Sequence, residues 1–293
     1  MSNLDFQALR NTRASDPAAV AKALHARQRR ELLGGDGKLM IVAADHPARA
    51  ALGIGSEAMA MANREDLLER LATALENPGV DGVLATPDII DDLALLGLLE
   101  NKIVVGSMNR GGLRGASFEM DDRFGAYSIE SMVAAGIDFA KTLTRINFHD
   151  AGTAETLMAT AHAVNDAVAA GMPIMLEPFI SERIEGKLEN ILTPEAVIQS
   201  IAIVSALGGS SAYTWLKIPY VADMARVMES TTLPTLILGG DRPGDMESLY
   251  AEWADALTLN GVRGLVVGRS LLYPSAGTTA DAIQRAVEIV HGG

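Results

Sequence analysis

Short apolar runs alternate with segments of helical patterning along most of this chain. From residue 38 onward, runs of four to six mostly apolar residues are separated by longer stretches that combine apolar and charged positions. The short runs are typical of buried strands, and the longer stretches are typical of amphipathic helices. Eight runs are predicted as strands, at 39–44, 82–85, 103–107, 138–143, 173–177, 214–218, 235–238 and 264–267.

Start and stop signals mark several of the intervening helices. Thr86-Pro87 places a capping residue before a proline at the first helical position. The alanine-rich stretch 153–170 is followed by Gly171, which suits a helix C-cap. An apolar stripe over 278–290 predicts a closing helix.

The β/α alternation predicts parallel strands joined by right-handed crossovers. Eight such units in about 250 residues match the size of a (β/α)8 barrel. An open doubly wound sheet is the competing interpretation, but no Gly-x-Gly-x-x-Gly sequence opens the first helix. We therefore expect a (β/α)8 barrel over 38–293, preceded by a helical extension over 1–37.

Composition narrows the possible partners. The chain has 24 Lys and Arg against 37 Asp and Glu, a net charge of −13, whereas nucleic-acid binding requires a cationic surface. No apolar run approaches the roughly 18 residues that cross a bilayer, and the first residues lack a secretory pattern. The absence of cysteine excludes disulfides and thiolate nucleophiles. We expect a cytoplasmic protein that binds neither nucleic acid nor membrane.

Lys217 is the main candidate for chemistry, because it lies at the end of an apolar run. With a strand period of two, Tyr213, Trp215 and Lys217 share one face. A partly desolvated amine has a lowered pKa and can attack a carbonyl. The alternative interpretation of Lys217 from these residues is an ordinary lysine that reaches solvent or pairs with a buried carboxylate.

Three further charged residues follow other predicted strands, where barrel active sites lie. Lys141 is a second cation that would lower the pKa of Lys217. Glu177 is a candidate proton shuttle or, alternatively, a salt-bridge partner of the lysines. Asp45 either orients Lys217 or a substrate hydroxyl, or caps a helix.

Glycine-rich loops suggest anion sites. Gly239-Gly240 and Gly268-Arg269 follow the last two predicted strands, where barrels often bind phosphate through backbone amides. The glycine-rich loop over 109–115 carries Arg110 and Arg114. It either binds a second anionic group or is a solvated loop.

The histidines form no metal-binding spacing. His46 and His149 follow the first and fourth predicted strands, so a metal-dependent aldolase or isomerase is a second hypothesis. A barrel that binds a sugar phosphate without turnover is a third. We expect no metal and no cofactor.

Several short motifs occur in the order found in a known enzyme group. They are Gly136-Ile-Asp-Phe-Ala-Lys141, Leu176-Glu177-Pro178, Trp215-Leu-Lys217-Ile-Pro-Tyr220, Leu238-Gly239-Gly240 and Val267-Gly268-Arg269-Ser270. Together they resemble the class I aldolases that include tagatose-1,6-bisphosphate, archaeal-type fructose-bisphosphate and sulfofructose-phosphate aldolases. The resemblance covers about residues 38–290, and the spacings of 36 residues from Lys141 to Glu177 and 40 from Glu177 to Lys217 also fit.

The resemblance implies a cofactor-free lyase in which Lys217 forms a Schiff base with a phosphorylated ketose or sugar acid. Glu177 and Lys141 would handle protons and hydroxyl groups, and Asp45 would orient the substrate. The phosphate of a dihydroxyacetone-phosphate moiety would be held by Gly239, Gly240, Gly268 and Arg269.

The chain departs from the group at the end of the fourth strand. Arg145 and the run Asn147-Phe148-His149 replace a tyrosine-rich segment of the tagatose enzyme. His46, Arg145, His149 and Arg110 are therefore expected contacts for the other half of the substrate. The chain also resembles a subgroup associated with inositol breakdown, which suggests 5-dehydro-2-deoxygluconate 6-phosphate. A homo-oligomer formed through outer helices is expected.

Overall fold

The computed structural model describes residues 4–109, 112–239 and 245–292. The strands are β1 (Leu39–Ala43), β2 (Gly82–Ala85), β3 (Ile103–Ser107), β4 (Phe139–Ile146), β5 (Ile174–Ile184), β6 (Lys187–Asn190), β7 (Thr214–Pro219), β8 (Thr235–Leu238) and β9 (Val262–Val267). The helices are α1 (Phe6–Ser15), α2 (Ala18–Ala26), α3 (Arg64–Glu76), α4 (Pro87–Leu95), α5 (Ile129–Ala135), α6 (Gly152–Ala170), α7 (Pro194–Ser205), α8 (Met224–Glu229), α9 (Met246–Ala256), α10 (Arg269–Leu272) and α11 (Thr279–His291), with a 3-10 turn at Pro47–Arg49.

Eight parallel strands of the described residues close into a barrel. Their order is β4-β3-β2-β1-β9-β8-β7-β5, and β4 also pairs with β5, which joins the two ends of the sheet. The helices that follow the strands cover the outside, as the βαβ crossover requires. The predicted (β/α)8 barrel is therefore confirmed, and the open doubly wound sheet is excluded.

Two layers of apolar side chains hold the barrel together. One layer lies between strands and helices and includes the fully buried Trp253 of α9. The other fills the barrel interior, where the rings of Phe139 and Trp215 meet edge to face with centroids 5.5 Å apart. The interior layer comprises Leu39, Ile41, Ala43, Leu84, Ile103, Val105, Phe139, Met175, Trp215, Leu236 and Val266.

Two strands extend beyond their predicted ends. β4 continues to Ile146 instead of residue 143, and β5 continues to Ile184 instead of residue 177. Beyond the barrel, β5 turns back and pairs antiparallel with β6, with Ser181 opposite Asn190. The sequence prediction ended β5 before Pro178, a residue type that is unfavourable in a central strand. The hairpin of β5 and β6, which was not predicted, stands at the mouth of the barrel.

The N-terminal residues are helical at α1 and α2, as expected, but 27–38 contain no helix. Leu9 and Leu24 are buried in the same core as the outer barrel helices. After α2, the buried guanidinium of Arg27 donates to Asp138 at 2.7 Å, just before β4. These contacts hold the segment against the barrel. Among the described residues, no helix combines the length and apolar character needed to span a bilayer.

Candidate active site

A cavity of about 450 Å³ opens at the carboxyl ends of the barrel strands. The four predicted catalytic residues line it together: Asp45 after β1, Lys141 on β4, Glu177 on β5 and Lys217 on β7. Their side chains are only 4% to 11% exposed. The fold therefore brings residues that are far apart in sequence into one solvent-poor pocket.

Strand alternation explains why these side chains point into the cavity. Successive residues of a strand face opposite sides, so positions two apart share a side. Each predicted catalytic residue lies two positions beyond a member of the interior apolar layer: Ala43 before Asp45, Phe139 before Lys141, Met175 before Glu177 and Trp215 before Lys217. The four charged groups consequently form the next layer toward the cavity mouth, above an apolar base.

Glu177 bridges the two lysines. Its Oε1 accepts a hydrogen bond from Lys217 Nζ at 2.6 Å, and its Oε2 lies 2.6 Å from Lys141 Nζ. Lys141 Nζ also donates to Asp45 Oδ2 at 2.9 Å. Ser107, at the end of β3, donates to the same oxygen of Asp45 at 3.1 Å. The result is a chain of alternating charges across the cavity floor.

The pKa values of the two lysines are shifted in opposite directions. Burial tends to lower the pKa of Lys141, but the adjacent Asp45 and Glu177 outweigh it and raise that pKa. Burial lowers the pKa of Lys217, and the charge of Lys141 lowers it further against the opposing effect of Glu177. Lys141 is therefore fixed as an ammonium ion, whereas Lys217 is the amine that deprotonates more readily.

The acidic residues of the site are ionised, and its histidine is neutral. Burial disfavours the charged form of Glu177, but the two lysines lower its pKa to about 2. The pKa of Asp45 is likewise held well below its usual range, against burial, chiefly by Lys141. Burial and the charge of Arg269 lower the pKa of His46 to about 3.

The predicted phosphate-binding residues lie at the same cavity, where the structure describes them. Gly239, Gly268 and Arg269 line the wall formed by the ends of β8 and β9. Gly268 approaches its neighbour strand closely, since a Cβ atom there would lie 2.3 Å from the carbonyl oxygen of Ala43. Gly240 and Arg110, which were also predicted, lie outside the described residues.

The other predicted contacts divide into two groups. His46 and Arg145 line the cavity, whereas His149 is exposed in the turn between β4 and α6 and is not among the lining residues. The guanidinium of Arg145 is largely engaged within the protein. Its Nε and Nη2 donate to the fully buried Asp122 at 2.8 and 2.7 Å.

Sequence reasoning missed Ser107, which donates to Asp45, and several residues that line the cavity. Ser107 could have been recognised as a polar residue that ends a predicted strand. Arg49 lies four residues beyond Asp45 in a turn with no distinctive pattern. The hairpin of β5 and β6 adds Leu188, Glu189 and Asn190 to the cavity wall, and these were missed with the hairpin itself.

A protein metal site needs several ligating side chains that converge on one point. Across residues 4–109, 112–239 and 245–292, no group of three or more His, Asp or Glu side chains is arranged to hold a metal ion. The two histidines of the metal-dependent hypothesis do not share the cavity, because only His46 lines it.

Comparisons with known proteins agree with this fold. A crystal structure of Cgl0159 from Corynebacterium glutamicum is 64% identical, with a TM-score of 0.96, and 98% of this chain aligns with 97% of that one. A Schiff-base-forming fructose-1,6-bisphosphate aldolase is 20% identical, with a TM-score of 0.66 over 93% of this chain and 100% of that one. An archaeal fructose-1,6-bisphosphate aldolase, with its catalytic Lys bound to a carbinolamine intermediate, is 20% identical, with a TM-score of 0.64 over 92% and 99%.

At 20% sequence identity, the similarity to these aldolases shows a shared fold only. No curated protein matches the chain. The Cgl0159-like family model matches residues 37–287, which is most of the sequence. The chain belongs to the Cgl0159-like family.

Proposed function

We propose that this protein is a class I aldolase that cleaves a phosphorylated ketose or deoxyketo sugar acid through an imine at Lys217, with dihydroxyacetone phosphate as one product. The observation that carries the proposal is the buried Lys217, 2.6 Å from Glu177 and beside a second lysine whose own pKa is raised. In this arrangement Lys217 is the amine that loses its proton more readily, and Lys141 is the cation that keeps its proton.

The difference between the lysines assigns their roles. Only an unprotonated amine attacks a carbonyl, and the lowered pKa of Lys217 increases the fraction in that form. Lys141 stays positively charged between two carboxylates and is suited to hold a hydroxyl or carbonyl oxygen of the substrate.

Glu177 is positioned for the proton transfers. When Lys217 adds to the ketone, the carbonyl oxygen takes one proton from solvent and becomes a hydroxyl, the nitrogen loses a proton, and the hydroxyl must then leave as water. Glu177 lies within hydrogen-bond distance of that nitrogen, so it accepts the amine proton and returns a proton to the departing hydroxyl. The product of this step is an iminium ion.

The iminium ion then acts as the electron sink for carbon–carbon cleavage. A carboxylate of the site removes the proton from the hydroxyl on the carbon that becomes the aldehyde. The electrons of the broken bond enter the iminium, and an enamine of dihydroxyacetone phosphate remains. Protonation of the enamine carbon and addition of water release this product and regenerate Lys217. These steps require no metal or organic cofactor.

The phosphate of the substrate is assigned to Gly239, Gly240, Gly268 and Arg269. Gly239, Gly268 and Arg269 line one wall of the cavity, and Arg269 contributes a positive charge. Resemblance to the aldolase group suggests 5-dehydro-2-deoxygluconate 6-phosphate, a ketose bisphosphate or sulfofructose phosphate as the substrate. All of them yield dihydroxyacetone phosphate by the same cleavage.

Deuterium exchange tests the proposal without knowledge of the aldehyde. Incubation of dihydroxyacetone phosphate with the protein in D2O should place deuterium on its hydroxymethyl carbon, because the enamine forms and is reprotonated there. The variant Lys217→Met should abolish exchange, whereas the surface variant Lys22→Met should retain it. Absence of exchange with the native protein, or undiminished exchange with Lys217→Met, would contradict the proposal.

A further inference from the structure

Apolar side chains follow the catalytic residues on two neighbouring strands. On β4, Leu143 lies two positions beyond Lys141. On β5, Phe179 lies two positions beyond Glu177. Because alternate residues of a strand share a face, Leu143 and Phe179 stand directly above the charged floor, on the cavity side. Both side chains line the cavity, and they are only 3% and 7% exposed.

The hairpin of β5 and β6 extends this apolar surface toward the cavity mouth. Leu188 on β6 and Leu192 just after it both line the cavity, and Leu192 is 45% exposed. Across the hairpin, Ser181 Oγ donates to Asn190 Oδ1 at 2.8 Å, which holds β6 beside β5. The apolar wall, as it is named here, comprises Leu143, Phe179, Leu188 and Leu192.

The order of strands around the barrel decides which half of a substrate meets the apolar wall. In the ring, β9, β8, β7, β5 and β4 are successive neighbours. The residues assigned to the phosphate follow β8 and β9, and Lys217 lies on β7, between them and the apolar wall. An imine carbon at Lys217 bears two carbon substituents. When the phosphate-bearing substituent is directed to β8 and β9, the other one, which leaves as the aldehyde, extends over β5 and β4.

The charged group above the apolar wall on β4 is already bound within the protein. Arg145 lies two positions beyond Leu143 and donates to Asp122 at 2.8 and 2.7 Å. Its Nη1 also lies 3.6 Å from Glu119 Oε1. Glu189 of the hairpin lines the cavity too, but it is exposed to solvent. A substrate hydroxyl placed against the apolar wall would therefore lose water without gaining a hydrogen-bond partner from the wall.

We propose that the apolar wall determines the aldehyde specificity of this enzyme, with Phe179 as its main contact, so the aldehyde is selected by its carbon surface. The inference rests on the proposed aldolase function. The oxygen of the reacting aldehyde carbon faces the charged floor, and the carbon attached to it packs against Phe179. The enzyme therefore favours an aldehyde that carries a methyl or methylene group at this carbon over one that carries a hydroxyl group.

This specificity implies a synthetic activity with simple alkyl aldehydes. The enamine carbon of bound dihydroxyacetone phosphate forms a bond to the carbonyl carbon of propanal, and the propanal oxygen takes up a proton. Water then hydrolyses the iminium ion, which regenerates Lys217 and releases a ketose phosphate that ends in an ethyl group. No oxidant or reductant takes part in this reaction.

Two aldehydes of equal size test the apolar wall. Propanal carries a methyl group where glycolaldehyde carries a hydroxyl group, and the two have the same number of non-hydrogen atoms. The ratio of their kcat/KM values in aldol synthesis is measured for each variant, so changes in overall rate cancel. Phe179→Gln should lower the propanal-to-glycolaldehyde ratio about ten- to a hundredfold, the range expected for the contact of one small group with an apolar pocket.

The matched control changes a phenylalanine that lies outside the cavity. Phe148 is 60% exposed in the turn after β4 and is not a lining residue, so Phe148→Gln should keep the native ratio. Leu192→Gln keeps the test decisive if Phe179→Gln fails to fold, because Leu192 is exposed on the hairpin and its replacement should lower the ratio in the same direction.

An unchanged ratio in whichever of these two wall variants folds would overturn the specificity role of the apolar wall. Failure of the aldolase proposal has a different signature. It would appear as absent deuterium exchange into dihydroxyacetone phosphate by the native protein, and it would remove the basis of this inference as well. Exchange involves no aldehyde, so a wrong assignment of the apolar wall alone leaves the native exchange intact.

Discussion

Lys217 Nζ lies 2.6 Å from Glu177 Oε1 at the buried floor of the barrel cavity. The second oxygen of the same carboxylate is bound to Lys141, so Glu177 balances two amines with one charge. Glu177 shares its charge between the two lysines, so it only partly opposes the lowering of the Lys217 pKa by burial and by Lys141. The predictions for the Glu177 and Lys141 variants depend on this geometry.

Replacement of Glu177 by glutamine should slow catalysis by about 10²- to 10⁴-fold, the usual contribution of a general acid–base group. Gln cannot carry the proton between the Lys217 nitrogen and the leaving hydroxyl. Deuterium exchange into dihydroxyacetone phosphate gives the rate. Glu195→Gln, on the exposed surface pair with Arg226, serves as the control. Exchange at a near-native rate in Glu177→Gln would exclude the proton-transfer role.

Removal of the charge of Lys141 should move the acidic limb of the pH–rate profile to higher pH. Lys141 lowers the pKa of Lys217, and its loss also leaves Glu177 to stabilise the Lys217 ammonium alone. Both effects raise the pKa of Lys217, so a higher pH is needed to free the amine. The pH dependence of exchange in Lys141→Met measures the shift, with Lys22→Met as control. A limb that stays in place or moves to lower pH would contradict the assignment of the two lysines.

His46 should make the protein less stable in mild acid. Its pKa is about 3 in the folded protein, against an ordinary value of 6.5, because burial and Arg269 disfavour the imidazolium. Between these values the unfolded chain binds a proton that the folded chain does not, so stability rises with pH in this window and levels off above it. One proton contributes a slope of at most about 1.4 kcal/mol per pH unit.

The comparison that isolates this effect is His46→Asn against the native protein. Chemical denaturation at a series of pH values from 7 to 4 gives the free energy of unfolding for each. The difference between the two curves should grow in favour of the variant as the pH falls below about 6.5. Parallel curves would show that His46 does not titrate as described.

Arg27 should matter more to stability than Arg29, although both bind Asp138. The Arg27 side chain is 2% exposed and that of Arg29 is 56% exposed. Removal of one partner from a buried pair costs about 3–5 kcal/mol, whereas an exposed ion pair contributes about 1 kcal/mol or less. Urea unfolding of Arg27→Met and Arg29→Met compares the two. Equal losses would show that the segment after α2 is not held by the buried contact.

Much of the fold and the floor of the site follow from local sequence patterns. The alternation of apolar runs and helical segments predicted the barrel, because each strand needs both faces covered and each helix has one apolar face. Lys217 was identifiable because it lies two positions beyond Trp215 on an apolar strand. The same two-residue step relates Lys141 to Phe139 and explains why the charged layer forms above the interior core.

The walls of the cavity were less predictable, because they depend on contacts between distant loops. Pro178 indicated a strand end, yet β5 runs through it and pairs with β6. Arg145, an expected substrate contact, lines the cavity and also binds Asp122, 23 residues earlier in the chain. The residue spacing around Arg145 and around Asp122 does not indicate that these two side chains meet. Arg49 lies in no recognisable motif. Its distinguishing feature is a buried Nε with no hydrogen-bond partner among the described residues.

The most direct test of the account is to identify the lysine that forms the imine. The protein should be incubated with dihydroxyacetone phosphate and borohydride, digested, and mapped by mass spectrometry, with a parallel sample that lacks the ligand. The account predicts a ligand-dependent secondary amine at Lys217 and an unmodified Lys141, since Lys141 is held as an ammonium ion. Modification of Lys141 instead, or an unmodified Lys217 in protein that catalyses exchange, would contradict it.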